Sequence, residues 1–316
     1  PAPRDGPASA SGPGWRWESW GGVQVRVPRG WGHADLTQWC VDEGPSGPAV
    51  DRPELQGTRA VCSVYDDGRP TYTGGLLLRR ADDPLRLSRG DVAPYATARI
   101  HTVGDVTLTV VDIDPTVGSA ILGSARVVGR RDAHGCPPRL APSAGTGEAA
   151  ALVDVDAVSV CRYGLTGWDR PTLISSRRLV GQRADDVLHG VRHAPVGPPT
   201  RAGCHSAAVE VATLVLWDGG RPTTAVVRYD GCRGHGLADG VHHRRLTGEV
   251  LAPILVPPWT GRLAPDVQRS MAPHGEHPDP EDSIRPAAPG GRLLGDTAPT
   301  VGHGNALVAR RPGPHT

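Results

Sequence analysis

The stretch CRGHGLADGVHH, residues 232–243, brings several potential metal ligands into one short segment. His235, Asp239 and His242 would offer two imidazoles and a carboxylate, which are common zinc ligands, if the segment folded back on itself. No helical H-E-x-x-H frame accompanies them, and the surrounding glycines indicate a flexible loop. We therefore expect exposed loop histidines and no cofactor, with a metal-responsive module using loop 235–243 as an alternative.

Nucleophilic chemistry has no local signature in this chain. The G-x-S-x-G elbow of many hydrolases is absent, and serines such as Ser119, Ser175 and Ser206 stand in no recognisable motif. A serine triad can be assembled from distant positions, however, so a secreted hydrolase with a dispersed triad stays open as an alternative. The sequence does not decide whether the chain is an enzyme, and its lack of a catalytic motif favours a protein without catalytic activity.

Tryptophan is concentrated near the start of the chain. Trp15 and Trp17 would share one face of an extended strand, and Trp20 follows closely. Exposed indoles there could stack on a sugar or pack against a partner, so these three are candidate ligand-binding residues. The alternative is core packing, since the chain has no phenylalanine to supply that bulk.

The chain contains an even number of cysteines and no C-x-x-C pair, which favours disulfides over structural zinc. Six cysteines allow 15 connectivities, so spacing alone does not choose among them. The positions are Cys40, Cys62, Cys136, Cys161, Cys204 and Cys232.

An internal repeat narrows the choice. Residues 61–94 and 160–195 share four short matches in the same order, including V-C at the start, R-P-T, R-A-D-D and a closing A-P. This arrangement indicates an ancient duplication in which Cys62 corresponds to Cys161. The symmetric pairing is then Cys40–Cys62 and Cys136–Cys161. The remaining pair, Cys204–Cys232, would close a hairpin built on a Gly-Gly turn.

The elements that must carry these residues are short strands and helices. Residues 105–114 alternate like a strand, and Asp114-Pro115 indicates a helix start, with apolar residues at helical spacing as far as Val128. The R-A-D-D segment of the second copy should open a helix with Val187, Leu188 and Val191 on one stripe. Residues 222–231 indicate another strand, and residues 246–255 indicate a closing helix interrupted by proline.

Together these patterns predict an α+β protein made of two related units, each with antiparallel sheets and short helices stapled by disulfides. We expect a linker at 1–14, a first unit at 15–145, a second unit at 146–258 and a disordered, proline-rich tail at 259–316.

Charge and hydropathy exclude several partners. The net charge is +1, and the paired arginines, among them Arg177-Arg178 and Arg244-Arg245, are scattered, so we expect solvated faces and no nucleic-acid binding. No stretch approaches the roughly 20 apolar residues that span a bilayer. An anchor could lie upstream of Pro1, because a Pro/Ala/Gly/Ser run often tethers an exported domain.

The motifs WRWESWGGVQVRVPRGWG, QWC, DAHGCPP and VCRY resemble those of exported or membrane-anchored proteins of high-GC Gram-positive bacteria. Some members of that group are encoded near sigma factors of the extracytoplasmic type. The resemblance spans roughly residues 15–255 and implies an exported, disulfide-bonded protein. Its motifs are built around Trp, Pro and Cys, and they carry no catalytic residue.

The sequence therefore predicts an extracytoplasmic, non-enzymatic binding or sensing module of a bacterial surface protein, secreted or anchored as an ectodomain. A cell-wall glycan or a protein partner is the expected ligand.

Overall fold

The computed structural model of the chain describes residues 14–33, 47–53, 74–82, 97–141, 147–197, 207–231 and 234–255. In the first part of the chain these ranges form β1 (Trp15–Trp20), β2 (Val23–Pro28), β3 (Gly32–His33), β4 (Ala49–Asp51), β5 (Gly75–Arg80), β6 (Ala98–Val103), β7 (Val106–Val111), α1 (Pro115–Ser124) and β8 (Arg126–Val127). In the second part they form β9 (Ala157–Gly164), β10 (Thr172–Val180), α2 (Gln182–His193), β11 (Glu210–Asp218), β12 (Arg221–Arg228), β13 (Gly236–Ala238), β14 (His243–Arg244) and α3 (Gly248–Leu251), preceded by a short 3-10 turn at Ala149–Ala151.

Two sheets hold the first part of the chain. Strands β1, β2 and β8 form an antiparallel sheet, and strands β3 to β7 form a mixed sheet in the order β3-β4-β5-β7-β6. Alternation in β2 directs Val23, Val25 and Val27 into a core that also contains Leu108 and Ile121. The pairings β3–β4 and β4–β5 are parallel, and those of β5, β7 and β6 are antiparallel.

The six-stranded third sheet, in the order β10-β9-β11-β12-β13-β14, is antiparallel throughout. Strands β11 and β12 form the predicted hairpin, whose turn glycines Gly219 and Gly220 both have positive φ, as a tight two-residue turn requires. Helices α2 and α3 pack on one face of this sheet. The predicted stripe of Val187, Leu188 and Val191 lies buried against it.

The structure confirms a protein of mainly antiparallel sheets with a few short helices. Asp114 caps α1 by accepting hydrogen bonds from the backbone N–H groups of Thr116 and Val117, and Pro115 occupies the first turn, as predicted. The prediction that this helix continues to Val128 is wrong. The helix ends at Ser124, because Ala125 is extended and the chain enters β8 to pair with β2.

The second predicted closing helix is also shorter than expected. Helix α3 contains only four residues, begins at a Thr247 cap and ends before Pro253. The linker at 1–14, apart from Gly14, and the tail at 259–316 lie outside the described residues.

The duplication stays a hypothesis. In the alignment of the two copies, β5 corresponds to β10 and β7 corresponds to β12. Strand β5 pairs directly with β7, whereas β10 pairs with β9 and β12 pairs with β11 and β13. The described strand pairings therefore differ between the two proposed copies. The segment that would match β9 in the first copy, residues 61–65, lies outside the described ranges.

None of the helices in the described ranges is both long enough and apolar enough to cross a membrane.

Candidate functional site

A cleft of about 820 Å³ opens where β10, α2 and α3 meet. Most of the residues that line it are ionisable. These are Arg177, Arg183, Asp186, His189 and Glu249, and Ala252 and Pro253 complete the lining.

The close crossing of α2 and α3 fixes the shape of this cleft. A Cβ placed on Gly190 of α2 would lie 2.9 Å from the carbonyl oxygen of Glu249, so only glycine permits this approach. The predicted apolar stripe holds α2 on the sheet, and the Thr247 cap sets the start of α3. His189 is exposed on α2 beside Gly190, and Glu249 lies in the first turn of α3, two residues after the cap.

Arg177 of β10 is the half-buried cation of the cleft. Its Nη2 donates a hydrogen bond to the carbonyl of Pro253, while its Nε is buried and has no acceptor among the described residues. Burial, followed by the positive charges of Arg183 and Arg162, lowers the pKa of Arg177 to about 10. The expectation that the arginines at 177–178 are solvated is therefore wrong for Arg177, because the segment that follows α3 packs against it through Pro253.

A buried polar network lies beside Arg177 on the same sheet. Arg162 of β9 forms an ion pair with Glu210 of β11, and the hydroxyl of Tyr229 donates to the same Glu210 Oε2 at 2.6 Å. Burial, reinforced by Glu210, raises the pKa of Tyr229, so its hydroxyl keeps its proton. Glu210 thus accepts from Arg162 and Tyr229, and within the described ranges no carboxylate forms an ion pair with Arg177.

The acidic groups of the cleft are more exposed. Asp186 Oδ1 accepts one hydrogen bond, at 2.9 Å, from the amide of Gln182 on the previous turn of α2. A Glu249 oxygen lies 3.9 Å from Nδ1 of His189, and about two thirds of each of these side chains is exposed. Carboxylate oxygens from two helices are therefore accessible to a ligand in the cleft.

The three candidate tryptophans lie in β1. Trp17 and Trp20 are 8% and 1% exposed, and Trp15 is half-buried. The guanidinium of Arg26 lies 5.6 Å and 5.9 Å from the rings of Trp15 and Trp17, and that of Arg126 lies 4.7 Å from Trp17. The rings of Trp15 and Trp17 thus lie against arginines, and ligand binding by the three tryptophans stays a prediction.

The proposed metal-binding residues have other contacts. Asp239 is buried, accepts from the backbone N–H groups of Val241 and His242, and forms an ion pair with Arg244 at 2.6 Å. His242 is exposed next to Glu148, whereas His235 is buried. In the ranges that the structure covers, no group of three or more His, Cys, Asp or Glu side chains is placed to hold a metal ion.

Of the three serines named in the sequence analysis, the two that the structure describes show no triad there. Ser119 donates to the carbonyl of Pro115 and accepts from Arg99, Ser175 is buried in β10, and Ser206 lies outside the described residues.

Another serine does meet a histidine and an aspartate. Ser176 lies 2.9 Å from Nδ1 of His134 and also donates to Asp132 Oδ2, which accepts from Ser19 at 2.7 Å. In a catalytic triad the histidine lies between the serine and the acid, whereas here the serine does. Burial lowers the pKa of His134. The group is thus a buried hydrogen-bond network, and it crosslinks β1, β10 and the loop before the disulfide.

Cys136 and Cys161 form the predicted disulfide, and both are buried. The other two proposed bridges involve residues outside the described ranges.

Sequence reasoning missed the cleft because its residues stand in no motif. Arg177 is separated from Glu249 by more than 70 positions, and only the packing of α3 on α2 brings them together. A signal for that packing was present in Gly190, a glycine inside the apolar stripe of α2.

Comparison with known proteins gives no match for this chain, whether with family models, curated proteins or solved structures.

Proposed function

We propose that this chain is an extracytoplasmic, non-enzymatic binding or sensing module, and that the cleft between β10, α2 and α3 is its ligand site. The observation that carries the proposal is Arg177, a half-buried guanidinium that lines the cleft and forms no ion pair with a carboxylate among the described residues. The part of this guanidinium that faces the cleft can donate a charge-assisted hydrogen bond to a ligand oxygen.

The lining favours binding over turnover. Its described residues include basic, acidic and apolar side chains but no serine, threonine or cysteine that could act as a nucleophile. The volume of about 820 Å³ lies within the range of small-molecule sites.

A location outside the cytoplasm is supported by the buried Cys136–Cys161 disulfide, because such bonds persist in oxidising compartments. A fragment of the cell wall or the end of a partner protein would be available to the cleft there.

The test uses the full chain with its disulfides intact, as verified by a non-reducing peptide map. Cell-wall fragments and extracellular proteins are screened for a rise in melting temperature, and each hit is checked for turnover by mass spectrometry. We expect binding that is lost in Arg177→Gln and no product. A screen without binders, together with turnover of some component, would refute the proposal.

Two further probes address the alternatives directly. A fluorophosphonate that labelled a serine would support the dispersed hydrolase. Calorimetric titration with zinc that gave heat and a raised melting temperature would support the metal-responsive module.

A further inference from the structure

The cleft presents charges of both signs, contributed by different elements. We call Arg177 and Arg183 the basic pair and Asp186 and Glu249 the acidic pair. The basic pair comes from β10 and the start of α2, and the acidic pair comes from the next turn of α2 and from α3. A ligand that fits this cleft must satisfy both pairs.

The basic pair favours an anionic group on the ligand. Arg177 and Arg183 are close enough to repel each other, and that repulsion, after burial, depresses the pKa of Arg177. Arg162 adds to the positive field, although Glu210 pairs with it. A carboxylate between the parts of the two guanidiniums that line the cleft would accept hydrogen bonds from both.

The acidic pair favours a cationic group on the ligand. Asp186 uses one oxygen for the Gln182 amide, and Glu249 has only a long contact, 3.9 Å, to His189. Each carboxylate therefore keeps acceptor capacity that faces the cleft, and an ammonium group with three donors would suit it. A simple anion would leave these two carboxylates repelling it, and a simple cation would be repelled by the basic pair.

We propose that the cleft binds a zwitterion, namely a free amino acid or a short peptide with unblocked ends, with its carboxylate on the basic pair and its ammonium on the acidic pair. The inference rests on the proposed function and specifies the class of ligand for the same site. The volume of about 820 Å³ gives room for a side chain or a second residue as well as the two charged groups.

The first experiment compares probes that differ by one charge. The full, disulfide-intact chain is titrated calorimetrically with a panel of free amino acids and unblocked dipeptides of both chiralities. The best binder is then compared with its N-acetylated form, which lacks the ammonium, and with its C-terminal amide, which lacks the carboxylate. We expect each blocked form to bind at least about tenfold more weakly, the usual effect of losing a charged hydrogen bond. Comparison of the affinities of free amino acids with those of dipeptides in the panel shows which of the two classes supplies the zwitterion.

The second experiment assigns each charge to its residues. Arg183→Gln should weaken binding of the free ligand by roughly tenfold and abolish the advantage of the free ligand over its amide. Glu249→Gln should weaken it similarly and abolish the advantage over the acetylated form. Both positions are exposed, so these variants should fold normally.

Matched controls use the exposed ends of the β11–β12 hairpin, outside the cleft lining. Arg221→Gln and Asp218→Asn remove one charge of each sign there and should leave every affinity unchanged. The inference is overturned if no panel member binds, if blocked and free probes bind equally, or if the controls weaken binding as much as the cleft variants.

These failures are distinguishable from failure of the proposed function. A wall fragment or protein could bind in a way that depends on Arg177 but does not change when either end of the ligand is blocked. That result would support the binding module and refute the zwitterion proposal. Turnover of a substrate without any stable binder would remove both.

Discussion

At the scale of single residues, the network of Arg162, Glu210 and Tyr229 joins β9 and β11 to the residue that follows β12. All three side chains are buried, and Glu210 accepts from both of the others. A buried network of this kind adds little net stability when it is intact. Removing one member is costly, because the remaining polar atoms are then buried without a hydrogen-bond partner.

We therefore expect Glu210→Gln to lower the free energy of unfolding by about 3–5 kcal/mol, because the change removes the carboxylate from a buried ion pair. Tyr229→Phe should lower it by about 1–2 kcal/mol, since only a neutral hydroxyl is lost. Urea denaturation measures both values. Glu148→Gln, at an exposed carboxylate, is the control and should change the value by less than about 0.5 kcal/mol. A loss in Glu210→Gln as small as that of the control would contradict the buried ion pair.

Glu18 gives the fold a specific response to acid. Burial raises its pKa, but His33, Arg52 and Arg16 surround the carboxylate and together hold the pKa well below its usual range. A carboxyl whose pKa is depressed by folding stabilises the protein above its unfolded pKa, about 4.3, and loses that contribution as the pH falls below it.

We accordingly predict that the stability gap between the natural chain and Glu18→Gln is largest near about pH 7 and narrows by up to about 1.4 kcal/mol per pH unit below about pH 4. The reason is that Gln cannot titrate, whereas Glu18 becomes neutral in the unfolded state first. Chemical denaturation across this range measures the gap. A gap that stayed constant with pH would show that the three basic neighbours do not hold the carboxylate charged.

At the scale of elements, the crossing of α2 and α3 is the contact that shapes the cleft. Glycine normally weakens a helix by up to about 1 kcal/mol relative to alanine. At Gly190, however, an added Cβ would meet backbone atoms of Glu249 and Val250 at 2.9–3.0 Å, and backbone cannot rotate aside.

Gly190→Ala should therefore destabilise the protein by about 1–3 kcal/mol and weaken ligand binding, because α3 must move away from α2. Gly123→Ala is the matched change, since Gly123 is also helical but has open space around its Cα. It should stabilise the protein by up to about 1 kcal/mol. Urea denaturation and the probe titrations test both. Equal stabilisation by the two alanines would mean that α2 and α3 are not in close contact.

Several of the secondary-structure elements could be predicted from the sequence. The Asp114-Pro115 start, the Gly219-Gly220 turn and the stripe of α2 are local patterns, and each forms where it was predicted. The end of α1 was misplaced because pairing of β8 with β2, a contact distant in sequence, outweighs continued helical spacing. Arg177 was expected to be solvated because an arginine pair carries no signal of Pro253, which is distant in sequence and whose carbonyl accepts from its guanidinium.

At the scale of the molecule, the predicted boundary near residue 146 stays a prediction, yet the described cores cross it. Trp20 of β1 packs on Trp168 with ring centroids 5.1 Å apart, and Ile174 of β10 belongs to the core beneath β2. Arg52, which is buried, donates to the carbonyl of Ile174. Two units that share a core in this way cannot unfold separately without exposing it.

We therefore expect one cooperative unfolding transition, with tryptophan fluorescence and far-ultraviolet circular dichroism giving coincident urea curves. Ile174→Ala removes a buried side chain at this junction, so it should lower the midpoint of both curves together, by a loss of about 2–5 kcal/mol. Ile100→Ala is the control: Ile100 lies in β6 and is 64% exposed, so little should change. Two separated transitions, only one of them shifted by Ile174→Ala, would show that the halves fold independently, and the duplicated-domain hypothesis would then gain the support that the strand pairings do not provide.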